Sequence, residues 1–267
     1  MTTPTSDIRS LKGFLLDMDG TVYLGDRVFP GAREFISLLA RQGKKHLWLT
    51  NNSSKSAAEW AAKLRRLGFQ AEVQDVFTSG NATIAHLLRQ KPCPRVFALA
   101  NPDFQDEMRQ AGCVLTADSP DFVVLGFDMT LTYEKVKTAC LLIRRGVPFI
   151  ASHPDKTCPT EHGFIPDCGA MTAMITEATG VKPIVLGKPF REMVDGALQR
   201  IGLPPHEVAM VGDRLYTDMR MARNAGVTAI LVLTGETTRA DLAGADIRPD
   251  FVFESIAELA EEIADRF

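Results

Sequence analysis

Short apolar runs separated by longer amphipathic stretches run through the whole chain. Residues 14–16, 46–50, 95–99, 122–125, 148–151, 208–211 and 228–233 are apolar without strict polar alternation, the pattern of strands covered on both faces. Between them, residues 32–41, 57–67, 104–111, 133–144, 170–179, 192–201 and 215–225 have helical periodicity. In the second of these, Trp60, Leu64 and Leu67 recur at i, i+4 and i+7 and make one apolar stripe. Gly43, Gly68, Gly112, Gly146, Gly180, Gly202 and Gly226 each follow a helical stretch where a left-handed cap is wanted. This alternation predicts an α/β fold, a parallel sheet flanked by helices. No repeat, low-complexity tract or flexible linker interrupts it, so a second domain has to be an insertion on short hinges.

Composition narrows the partners more than the fold. The 267 residues are 45% hydrophobic and 24% charged, ordinary values for a globular protein. The net charge of −3 shows no basic surplus, which argues against a nucleic-acid polymer as partner. The longest apolar runs fall far short of the roughly 18 residues that cross a bilayer, so no membrane partner is expected. Five cysteines, odd in number and without a CxxC pair, favour reduced thiols and a cytoplasmic location.

Candidate chemistry sits where the strands end. Asp17-Met-Asp19-Gly20-Thr21 places two carboxylates two residues apart after the first strand, suited to a nucleophile and a proton-handling neighbour. An acidic turn after a strand has the same spelling. The second strand ends in Thr50-Asn51-Asn52-Ser53, polar groups that suit a phosphate or an ordinary helix cap. Gly187-Lys188-Pro189 offers one cation without the spacing of a Walker A loop. Gly212-Asp213, with Asp218 five residues on, repeats the strand-then-carboxylate logic. Asp17, Asp19 and Asp213 together would form a hard-oxygen site suited to Mg²⁺.

Taken in order, these four segments resemble the active-site motifs of the haloacid dehalogenase superfamily. The spellings DMDGTVYLGDRVFPGA, LTNNSS, VLGKP and VGDRLYTDM resemble its p-nitrophenyl phosphatase, NagD-like branch. The resemblance implies a Rossmann-like core with an inserted α/β cap. The stretch from Thr50 to Lys188 is several times longer than the roughly 30 residues of a βα unit. This length suggests residues 1–81 and 184–267 as the core and 82–183 as the cap. The resemblance further implies a phosphomonoesterase acting on a small phosphorylated metabolite through an aspartyl phosphate. In that reading Asp17 is the nucleophile and Asp19 the general acid and base. Thr50, Asn51, Asn52 and Lys188 bind the phosphoryl group, and Asp218 orients Lys188. Mg²⁺ is held by Asp17, Asp213 and the backbone carbonyl of Asp19.

The leaving group would be read by the cap, through Cys158 and His153, and the cap would also carry a homodimer contact. Two departures fall in this region. Ser152-His153 stands where the family more often has Thr-Asn, and Pro166-Asp167 where it has Pro-Gly. The competing readings are a phosphoacceptor signalling module and a catalytically silent interaction protein on the same fold. A signalling receiver needs no large insertion, and a silent protein would be expected to have lost a carboxylate.

Overall fold

The computed structural model describes residues 7–160 and 162–264. The chain folds as two compact units. One comprises the chain up to Thr50, Trp60–Phe77 and the chain from Lys188 onward; the other comprises Asn51–Glu59 and Thr78–Gly187.

The first unit is built on a six-stranded sheet in the order Phe251–Phe253, Thr228–Val232, Val208–Gly212, Gly13–Asp17, Lys45–Thr50, Val76–Thr78. Its central strands run parallel. Every residue of Gly13–Asp17, Val208–Gly212 and Thr228–Val232 is buried, which explains why these segments show apolar runs without alternation. Helix Ala32–Arg41 packs on Ile256–Ile263, and Arg191–Ile201 packs on Arg220–Ala225. Edge-to-face rings pin two of these layers: Phe14 against Phe35 at 5.7 Å and Trp48 against Phe69 at 5.2 Å between centroids.

Strand register sets the chemistry. Asp17 pairs with Leu49, one residue before Thr50, while Leu16 pairs with Val211, two residues before Asp213. Three motif segments therefore emerge together at the carboxyl end of one sheet, where ligands of open α/β sheets gather.

The second unit has its own five-stranded parallel sheet, ordered Ile184–Val185, Phe149–Ala151, Phe122–Leu125, Arg95–Leu99, Val114–Leu115. Alternate residues of each strand enter different cores. Val96, Val124 and Ile150 pack with Phe104 and Met108, while Leu99, Val123 and Leu125 pack with Ile143 and Ile175. An antiparallel hairpin, Thr157–Thr160 with Gly163–Pro166, completes the unit.

Helices Ser79–Gln90 and Ile256–Ile263 lie outside the segments expected from the sequence, and one expected helix differs in form. The segment expected as a helix over 215–225 begins with a π-helical turn, Leu215–Met219, before the α-helix Arg220–Ala225. The Met219 N–H reaches back five residues to the Arg214 carbonyl at 3.1 Å. That wider turn holds Asp218, whose side chain is committed elsewhere, as π-turns at functional sites often do.

Candidate active site

In the first unit, Asp17 ends its strand and the chain turns at once. Gly20 has φ +89°, a conformation in which a side chain would be strained, and its N–H bonds the Tyr23 carbonyl at 2.8 Å. The turn brings the Thr21 hydroxyl to 3.2 Å from Asp17 Oδ2, to which it donates. The other Asp17 oxygen accepts from the Lys188 ammonium. Lys188 also donates to Asp218 Oδ1 at 2.7 Å, and Asp218 Oδ2 accepts from the Arg214 N–H at 3.1 Å. Asp218, Lys188 and Asp213 are all buried.

Asp213 is held on one side only. Its Oδ2 accepts from the Glu236 N–H at 2.7 Å, while Oδ1, equally buried, has no hydrogen-bond partner among the described residues. A Cβ on Gly235 would collide with this carboxylate, so the close approach of the 235 backbone requires glycine. One oxygen each from Asp17, Asp213 and Asp218 lies within 4.8 Å of the others.

The electrostatics follow from that crowding. Burial foremost, then Asp17 and Asp218, pushes Asp213 well above the ordinary carboxylate range. Burial raises Asp218 to about 6 against the pull of Lys188. Burial alone would lower Lys188, but the Asp17 and Asp218 carboxylates together raise it. Carboxylates outnumber the ammonium here. A pair about 4 Å apart repels by roughly 4 kcal/mol at an effective dielectric of 20. An orphaned buried oxygen, an all-oxygen donor set and a deficit of positive charge fit a hard divalent cation. Within this cluster the Asp213 oxygen is the atom left without a hydrogen-bond partner among the described residues, since both oxygens of Asp17 and of Asp218 already accept hydrogen bonds.

Asp19 stands beside this cluster with 29% of its side chain open. Although it is surrounded by protein on most sides, that opening leaves the carboxyl reachable. Burial lifts it to about 6, against the nearby Lys63 ammonium.

Thr50 is buried at the end of its strand in the first unit, and the remaining sequence candidates lie in the second. The Asn51 amide donates to both oxygens of Asp155, at 3.2 and 3.3 Å. Asn52 Oδ1 accepts from the Ser54 N–H at 2.9 Å, and its amide nitrogen lies 3.8 Å from Cys158 Sγ. Asn52 and Cys158 are therefore neighbours. His153 is fully buried: Nε2 pairs with Asp167 Oδ1 and Nδ1 with the Ser152 hydroxyl, each at 2.9 Å. Asp167 Oδ1 also accepts from the Cys168 N–H at 2.6 Å, capping helix Cys168–Thr179. The two departures noted in the sequence thus face each other, and the placement of His153 suits holding this loop rather than touching a ligand.

Sequence reasoning passed over Lys63, Tyr23, Arg214 and Gly235. Tyr23 and Arg214 stand inside the quoted motifs, where their neighbours drew attention. Lys63 is one cation on a helix and has no local signal.

Two family models match the chain. One for haloacid dehalogenase-like hydrolases covers residues 14–114, and one described as HAD-hydrolase-like covers 185–259. An acid sugar phosphatase of Staphylococcus saprophyticus is 37% identical over 96% of this chain and 99% of its own length. The crystal structure of a 4-nitrophenylphosphatase from Thermotoga maritima superposes with a TM-score of 0.93 at 45% identity, covering 96% of this chain and 98% of that one. A glycerol phosphate phosphatase from Mycobacterium tuberculosis, solved in complex with calcium, has a TM-score of 0.87 at 35% identity over 94% of this chain and 75% of that one.

Proposed function

Since the chain belongs to the haloacid dehalogenase-like hydrolases, as a phosphatase of the NagD and p-nitrophenylphosphatase branch acting on small phosphorylated substrates, we propose that it is a Mg²⁺-dependent phosphomonoesterase working through an aspartyl phosphate. Sugar and polyol phosphates are the first substrate classes to test, on the strength of the acid sugar and glycerol phosphate phosphatases it is similar to. Nucleotide monophosphates, phosphoglycolate and pyridoxal phosphate follow. The signalling and catalytically silent readings are not favoured. The five thiols, none in a disulfide, support the cytoplasm as its compartment.

The observation that carries this reading is the buried Asp17–Lys188–Asp218 chain beside Asp213 with its unpartnered oxygen. An oxygen of Asp17 attacks phosphorus, and the bond from phosphorus to the leaving oxygen breaks. The leaving oxygen keeps the electron pair and takes a proton from Asp19. Asp19 then removes a proton from water, whose oxygen attacks phosphorus and releases phosphate, regenerating the Asp17 carboxylate. Lys188, held by Asp218, supplies fixed positive charge to the transferring group, so little reorganisation is needed when charge develops. Thr50, Asn51 and Asn52 follow one another where the strand gives way to loop, and are assigned to the phosphoryl oxygens. Mg²⁺, held by Asp17, Asp213 and the Asp19 carbonyl, would offset repulsion between the anionic nucleophile and the phosphate dianion.

The test is phosphate release from p-nitrophenyl phosphate and a panel of natural phosphomonoesters, with Mg²⁺ and with chelator. Release is expected to require the metal. Asp17→Asn, which removes the nucleophile with little change of shape, is expected to lower it by at least about 10⁴-fold while the melting temperature stays within a few degrees. Full activity in a folded Asp17→Asn protein would rule out the covalent route.

A further inference from the structure

We propose that Lys63 and Tyr23 are positioning residues for Asp19, fixing its carboxyl so that the proton goes to the leaving oxygen. The inference rests on the assignment of Asp19 as general acid and adds the machinery that aims it.

Each oxygen of the Asp19 carboxyl has its own neighbour. The Tyr23 hydroxyl donates to Oδ2 at 3.4 Å, while the Lys63 ammonium stands 3.9 Å from Oδ1. Tyr23 is itself immobilised. Its side chain is fully buried, and its backbone closes the Asp19 turn through a bridge to Asp19 and the bond from the Gly20 N–H. The ammonium of Lys63 lies over the Tyr23 ring, 4.1 Å from its centroid, and 5.3 Å from the Trp60 ring one turn back on its own helix, Ala57–Arg66. Only 11% of the Lys63 side chain is open. A lysine on a helix ordinarily extends into water. This one is folded back between two aromatic faces, with its ammonium beside the Asp19 carboxyl.

The arrangement differentiates the two oxygens. A free carboxylic acid turns about its last bond and offers its proton in either direction. Here the phenol fixes that rotation from the Oδ2 side. The ammonium, too far away for a hydrogen bond, acts on the Oδ1 side through its charge. Once the proton has left, that charge favours the carboxylate remaining behind, which is the state the first transfer must reach. Neither residue touches the reacting atoms in this scheme; both act through Asp19.

Such a device has a signature that plain structural support lacks. Correct proton delivery matters in proportion to how poor the leaving group is. The proposal is tested by measuring kcat/KM, which reports the first phosphoryl transfer, for phosphomonoesters ranging from p-nitrophenyl phosphate to simple alkyl phosphates. The variants are Lys63→Met, Lys63→Arg, Tyr23→Phe and, in parallel, Asp19→Asn. General acid catalysis contributes about 10²–10⁴-fold, and misaiming the acid forfeits part of it. Lys63→Met is expected to lose about 10–100-fold on alkyl phosphates and less than about threefold on p-nitrophenyl phosphate. Lys63→Arg, which keeps the charge, should recover most of the loss. Tyr23→Phe removes a single oxygen and should show the same selectivity to a lesser degree; it carries the test if Lys63→Met does not fold.

Equal loss on every substrate in Lys63→Met and Tyr23→Phe would make the pair structural and overturn the proposal, as would no loss on alkyl phosphates. If Asp19→Asn shows leaving-group selectivity while the Lys63 and Tyr23 variants do not, the positioning role falls and the general acid stands. If Asp19→Asn shows none, the general-acid assignment falls and the positioning role falls with it.

Discussion

His153 shows how a residue's chemistry depends on where its ring nitrogens end. In the sequence it is a loop histidine beside a departure from the family pattern, which makes it a candidate reader of the leaving group together with Cys158. In the fold its two nitrogens are bonded to Ser152 and Asp167, and the side chain is fully buried. Asp167 then depends on it: a buried carboxylate deprived of a donor bears much of its desolvation cost. His153→Ala is therefore expected to destabilise the protein by about 2–4 kcal/mol in denaturant titration while the ranking of natural phosphates stays unchanged. For Cys158, half-buried beside Asn52, we propose the leaving-group role that the sequence suggests. Cys158→Ala should shift relative kcat/KM among natural phosphates by about tenfold, the scale of one lost polar contact. A reordered substrate panel in His153→Ala, or an unmoved one in Cys158→Ala, would reverse this division.

At the scale of elements, helix ends do more than terminate. Helix Cys168–Thr179 begins at Asp167, whose Oδ1 both caps the helix and binds His153, so one carboxylate ties a helix N-terminus to the strand end Phe149–Ala151. A capping side chain contributes about 1 kcal/mol and a buried charged hydrogen bond about 1.5–3. Asp167→Ala should thus cost about 2–4 kcal/mol, with Asp167→Asn recovering only part. Thermal denaturation of both variants checks this, and equal stability would mean the cap is the smaller share. The π-turn Leu215–Met219 is the second such device. It lets the Arg214 N–H reach Asp218 while Asp218 holds Lys188, a geometry in which helical periodicity alone could not have been expected to place the carboxylate.

On the scale of the whole molecule, the catalytic cluster is held at a cost in folding free energy. Asp213 and Asp218 have pKa values raised by burial, so the folded, metal-free protein holds protons that the unfolded chain gives up near pH 4. Stability from this cluster is complete below that pH and falls as pH rises above it, for Asp218 through about 6. A divalent cation that replaces those protons binds only the folded state and restores stability by mass action. The rise in melting temperature on adding Mg²⁺ should accordingly grow between pH 5 and pH 7 in scanning calorimetry. Asp213→Asn should lose most of that rise, and Asp218→Asn much less. A Mg²⁺ effect independent of pH, or the same in both variants, would contradict the assignment of the unpartnered Asp213 oxygen. As to what each level of description decided, the amino-acid pattern was enough for the α/β class, for most strands and helices, and for the carboxylates and lysine that end them. Apolar runs and glycine caps are local signals, and motif spacing survives without coordinates. Three-residue strands such as Val76–Thr78 and Phe251–Phe253 were too short to show a period. Only the tertiary structure could join Lys188 to Asp17 across 171 residues, set Lys63 against Tyr23 and Asp19, and enclose His153 with Asp167. Charge pairing and burial depend on distance in space, and a linear pattern records only distance along the chain.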